Sequence, residues 1–172
     1  FGYIRDIDHK MKLELELDRK VEYDLITRVY IEQVMKKITN YALSKNNNGS
    51  NKCCFVLLEI ANLNQLKRLY GLDGAEKILF HIGRILRICF NNKYIVGRIP
   101  EKQFGIFIPN VLDKELIKEL IEDTIITAIN SYSLTTENFV KPTINVSIYV
   151  APVLRSTFER LYNNCRWWFS WL

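Results

Sequence analysis

The stretch Tyr94-Ile-Val-Gly-Arg98-Ile-Pro-Glu-Lys-Gln103-Phe-Gly-Ile-Phe-Ile108 constrains the fold more than any other. Two short, β-rich apolar runs flank Pro100-Glu101-Lys102-Gln103, and a run–turn–run pattern of this size predicts a β-hairpin. Pro100 pre-sets φ for a turn and cannot donate to a central ladder. The pattern therefore places an exposed tip at the edge of whatever sheet the arms join. Polar tips on rigid arms are where sites are often built; the plainer alternative is a solvated turn.

The chain has 172 residues, 48% of them hydrophobic and 25% charged, which suits one core of ordinary size plus an appendage and excludes a disordered chain. No apolar run is long enough to span a membrane and nothing resembles a signal peptide, so a cytoplasmic location is expected. Opening on Phe1, the chain reads as an excised fragment. Its formal charge of +5 is a weak pointer to anionic partners, and Lys and Arg are scattered rather than gathered into a patch. Cys53, Cys54, Cys89 and Cys165 lack metal-ligand spacing and read as reduced, mostly buried thiols. Cys53 and Cys54 are adjacent in an apolar run, so they should point to opposite sheet faces.

Phe1 to Ile7 is β-like, and Asp8 to Glu22 is a mixed amphipathic helix that could pair with its twin in a dimer or lie on its own domain. Asp24 and Thr27 read as caps for a helix over Val29–Ser44. Lys45 to Asn51 is a polar loop, and Cys53–Leu58 is a continuous apolar run that predicts a buried strand. That strand ends at Glu59, a carboxylate in need of a partner. Asn62–Tyr70 reads as a short helix stopped by Gly71, with a second from Asp73 or Gly74 to Phe90. After the hairpin, Asp113 caps a helix to Ile129, Ser131–Lys141 is a loop, and Thr143–Val150 alternates as a strand. Ser156–Leu172 is helical by position. Its Trp167, Trp168, Phe169 and Trp171 are expected either in the core or on a face toward a continuation. Helices interleaved with few strands give an α+β sandwich, a mostly antiparallel central sheet covered by helices.

Five segments in this order resemble the GGDEF domain family, the diguanylate cyclases and their degenerate relatives. Asp24-Leu-Ile-Thr27 looks like the entry motif D-x-L-T-G-L-x-N-R, and Phe55-Val-Leu-Leu-Glu-Ile60 looks like the strand ending D-I-D. Tyr70-Gly-Leu-Asp-Gly-Ala-Glu76 is similar to G-H-x-x-G-D with one residue before it, and Arg98-Ile-Pro-Glu-Lys-Gln-Phe104 falls on R-x-G-G-D-E-F. Ile144-Asn-Val-Ser-Ile-Tyr-Val-Ala151 looks like V-T-V-S-I-G-V-A. Phe1-Gly-Tyr-Ile-Arg-Asp-Ile7 is similar to the last strand of a PAS sensor domain. The resemblance divides the chain into the end of an upstream PAS-like domain (1–7), a signalling helix (8–23) and a degenerate GGDEF domain of the nucleotide-cyclase-like fold (24–172), truncated at its C-terminal end.

Active members of that family join two GTP molecules into cyclic di-GMP, a phosphoryl transfer that rests on metal and positioning. The resemblance puts Pro100 and Glu101 where the family has tip glycines, Lys102 where it has an acidic metal ligand, and Gln103-Phe104 at the end of the signature. Glu59 falls on the first metal carboxylate with Ile60 after it, and Lys67 and Glu76 fall on the guanine-reading Asn and Asp. An ammonium cannot ligate Mg2+, so Glu59 and Lys102 are expected to form an ion pair, or to approach within one water, at vestigial metal positions. No counterpart of the product-inhibition arginine motif stands between Asn91 and Val96, and the last helix's phosphate-binding residues fall at or beyond Leu172.

The implied function is a catalytically inactive regulatory, GTP-sensing or dimerisation module of cyclic di-GMP signalling. Its implied partners are a second copy through the N-terminal helix, the PAS domain and a downstream EAL-type domain. No cofactor is expected, with GTP and Mg2+ entering only where residual binding persists. Two alternatives stand beside it: a weakly active diguanylate cyclase, and a nucleic-acid or anion binder, for which Tyr94, Phe104 and Phe107 would have to be exposed on the sheet.

Overall fold

The computed structural model describes residues 9, 22–45, 49–90, 93–132 and 139–169. The expected PAS-like strand, nearly all of the signalling helix, and Trp171 lie outside them. Strand β1 (Tyr30–Ile31) leads into helix α1 (Glu32–Lys45), then β2 (Lys52–Ile60) and the long α2 (Leu63–Phe90). The hairpin follows as β3 (Ile95–Ile99) and β4 (Gln103–Ile108). Helix α3 (Lys114–Glu119) runs through a π-helical stretch, Leu120–Ile126, into α4 (Thr127–Asn130). Strand β5 (Ile144–Pro152) and helix α5 (Phe158–Phe169) complete the order.

The sheet order is β1-β3-β4-β2-β5, antiparallel except for the β1–β3 pair. The α+β sandwich expected from the sequence is the observed architecture. β2 is buried along nearly all its length, and its side chains alternate between two cores. Cys54, Val56, Leu58 and Ile60 face α2 and the α3–α4 segment, against residues such as Leu66, Ile78, Ile82 and Ile121. Cys53, Phe55 and Leu57 face α1 and α5, against Met35, Ile38, Phe158 and Leu161. The two neighbouring cysteines thus point to opposite faces, and all four are free thiols. Burial pushes Cys53 up to about 11 and Cys54 and Cys165 up to about 12.

The hairpin forms where its pattern placed it, but its arms are interior strands: β3 lies between β1 and β4, and β4 between β3 and β2. Pro100 is compatible with this because the ladder closes at Ile99–Gln103 and leaves Pro100 in the turn, outside it. Gln103 is therefore a strand residue and the loop is shorter than the sequence suggested. Gly71 breaks α2 as expected, with φ of 70°, a backbone region open to glycine. Asp113 caps α3, its Oδ1 accepting from Glu115 N at 2.9 Å.

Asp24 and Thr27 do not cap α1, which starts later, at Glu32. Asp24 instead accepts from the backbone N and the Oγ1 of Thr27, both at 2.8 Å, within the entry turn. Trp167 and Trp168 are not core: they are 67% and 65% exposed, while Phe158, Leu161 and Cys165 form the buried stripe of α5. Tyr94 is half-buried, and Phe104 and Phe107 are buried core, so the sheet offers no aromatic platform from them. Among the described residues no helix is long and apolar enough to cross a membrane.

Candidate functional site

Register creates the site. Glu59, near the end of β2, is paired with Gln103, the first residue of β4, and opposite residues of an antiparallel pair share a face. Gln103 Nε2 donates to Glu59 Oε1 at 3.1 Å. Tyr162 of α5 donates its hydroxyl to Gln103 Oε1 at 2.8 Å. Burial pushes the Tyr162 phenol up, Arg166 pulls it back, and Glu32 and Glu59 add to the rise, so it remains a donor.

Lys102 Nζ stands 3.5 Å from Glu59 Oε1. Of the two arrangements expected of these positions, the direct pair is present. Lys102 is half exposed, so the pair contributes only roughly 0–1 kcal/mol to stability. A second pair was not foreseen: Glu101 meets Lys67 of α2.

The tip backbone is held as well. Ile60 N donates to Lys102 O at 2.8 Å, and Arg98 Nη2 donates to Glu101 O at 3.1 Å. Arg98, itself 9% exposed, also pairs with Asp24 at 3.1 Å, joining the entry turn to the hairpin. Burial would raise the Asp24 carboxyl, but its hydrogen bonds from Thr27 and the Arg98 guanidinium outweigh this and hold it below its usual value.

These groups border an open cleft of about 490 Å3 at one end of the sheet, lined by Glu59, Asn64, Glu101, Lys102, Tyr162 and Arg166 among others. Of the sequence-derived site residues, Glu59, Pro100, Glu101, Lys102 and Gln103 line this cleft, and Lys67 reaches it through Glu101. Ile60 contributes a backbone amide already taken by the tip, and its side chain is buried. Phe104 is turned into the core. Glu76 is half-buried on α2 beyond Gly71 and is not among the cleft-lining residues. Tyr162 and Arg166 were missed. No signal in a Trp-rich helix marks which polar residue will face a strand end far away in the chain.

The family model for the diguanylate cyclase GGDEF domain matches residues 21–166, and the chain belongs to the GGDEF domain family. The GGDEF domain of DgcB from Caulobacter crescentus, solved in complex with c-di-GMP, superposes with a TM-score of 0.76 at 12% identity, covering 86% of each chain. The diguanylate cyclase SiaD from Pseudomonas aeruginosa, solved with its activator SiaC, gives 0.74 at 15% identity; the match covers 96% of this chain and 64% of SiaD. The active GGEEF domain of a diguanylate cyclase from Vibrio cholerae gives 0.69 at 12% identity, covering 80% of this chain and 86% of that one. At such identities the likeness is one of fold. No curated protein matches the chain.

Proposed function

We propose that this chain is a GGDEF domain without diguanylate cyclase activity, serving as a regulatory, GTP-sensing or dimerisation module in cyclic di-GMP signalling. One observation carries the reading: the Lys102 ammonium lies 3.5 Å from the Glu59 carboxylate, at the two positions that correspond to the family's metal ligands. Mg2+ is held by oxygens, and a cation beside the remaining carboxylate opposes it. The same Glu59 oxygen already accepts from Gln103. The residues present therefore do not fit Mg2+. Pro100 and Glu101 add side chains where the family's glycines let the backbone approach GTP. Any nucleotide bound here would meet Lys67, Lys102 and Arg166 rather than a metal.

In this reading residues 1–7 close an upstream PAS domain, residues 8–23 carry its signal and support a homodimer, and an EAL-type domain is the natural recipient. The test is calorimetry with GTP, with and without Mg2+, followed by an assay for cyclic di-GMP. The expected result is no product under either condition. Mg2+-dependent product would falsify the proposal.

A further inference from the structure

We propose that the hairpin tip is a latch, and that the chain's own carboxylate at Glu101 occupies the cation beside the cleft that an anionic ligand would otherwise take. The inference rests on reading the cleft as the domain's nucleotide site and adds how that site is regulated.

The tip carries two adjacent residues of opposite sign, Glu101 and Lys102. The elements beside the tip carry the opposite signs crosswise. Lys67 on α2 takes Glu101, and Glu59 on β2 takes Lys102. Two neighbours thus reach two different elements, and the strap between them borders the cleft. A third tie runs from Gln103 to Tyr162 on α5. The backbone is fastened at the same points, through Ile60 N to Lys102 O and Arg98 Nη2 to Glu101 O.

The consequence is chemical as well as mechanical. Lys67 is a cation placed to meet an anion, and the anion it meets belongs to the same chain. A nucleoside triphosphate or similar polyanion gains Lys67 only by displacing Glu101. Removing the Glu101 charge therefore opens the latch and frees the cation in one step. Removing the Lys67 charge opens the latch but leaves nothing for the ligand to gain.

The experiment uses hydrogen exchange on the ligand-free chain and calorimetry with GTP, on the wild type, Glu101→Gln and Lys67→Gln. Superimposable thermal melts show that the variants fold. The Ile60 amide, which donates to Lys102 O, and the amides of the tip should exchange roughly fivefold or more faster in both variants, with the β2 amides from Cys53 to Leu58 unchanged. GTP should bind about tenfold more tightly to Glu101→Gln and no more tightly to Lys67→Gln. Unchanged tip exchange overturns the latch, and so does faster exchange with wild-type GTP affinity in Glu101→Gln. Faster exchange with no GTP binding by any of the three proteins keeps the latch and removes the nucleotide reading instead.

Discussion

Gly97 and Gly105 face each other across the β3–β4 ladder, while the turn that joins the same two strands carries Pro100, Glu101 and Lys102. In the arms, glycine is required by close approach. A Cβ on Gly97 would fall 2.6 Å from Met35 Sδ and 2.7 Å from Met35 Cβ, and one on Gly105 would fall 2.9 Å from Met35 Cε and from Phe55 Cζ. The missing side chains let α1 sit down on the sheet. At the tip this chain has a proline and a glutamate, both exposed. Side chains there displace no packed layer. Packing therefore holds the arms to a narrow choice of residues, and the tip is free to change its chemistry without disturbing the fold.

The largest effect should come from the anchor of the arms to the entry turn. Asp24→Ala leaves the Arg98 guanidinium with little solvent and no carboxylate, and should cost about 3 kcal/mol in urea unfolding. A loss as small as that of a surface change would show that Arg98 finds another partner. Next, Gly97→Ala should cost about 1–3 kcal/mol, because Met35 Cβ cannot move without α1. Gly105→Ala should cost less, since its nearest obstacles include the movable end of Met35. Equal losses at the two glycines would mean that the helix itself yields.

Acid pH sharpens the same contrast. The Asp24 carboxyl is held below its usual value of 3.8 in the folded chain. Folded Asp24 thus binds fewer protons than unfolded Asp24 in the acid range. Its contribution is complete above the unfolded value and is lost as pH falls through the folded one. Urea midpoints of the wild type and Asp24→Asn should therefore differ most at neutral pH and converge in acid. A gap that is constant from pH 7 to pH 3 would remove the ion pair as its cause.

The smallest effects belong to the tip. Glu101→Gln and Lys102→Gln should each shift stability by no more than about 0.5 kcal/mol, since both side chains are about half exposed. A tip substitution that costs as much as Gly97→Ala would break the division between arms and tip.

Several features were legible because they are local. The buried run of β2 and the hairpin arms were readable as strands, Gly71 as a helix stop, and Asp113 as a cap. The Glu59–Lys102 contact was reachable too, but only through the resemblance that put both on metal positions. The misreadings share one cause. Asp24 looks like a cap beside its own helix, yet it serves Arg98, 74 residues away. The tip looked like a sheet edge because Pro100 cannot join a ladder; the ladder ends one residue before it. For Trp167 and Trp168 the sequence left core and an outward face open, and packing gave the core to Phe158, Leu161 and Cys165.

By itself, the sequence determined four of the five described strands (it read Tyr30–Ile31 of β1 as helix), most helix limits and the order of motifs that marks the family, since each depends on residues a few positions apart. Only the tertiary structure decided that Lys67 meets Glu101, that Tyr162 meets Gln103 across 59 residues, and that β3 and β4 lie inside the sheet. Those contacts follow from strand order and register. A slip of one residue in register would turn every side chain of a strand to the opposite face, and no local pattern encodes which strand lies beside which.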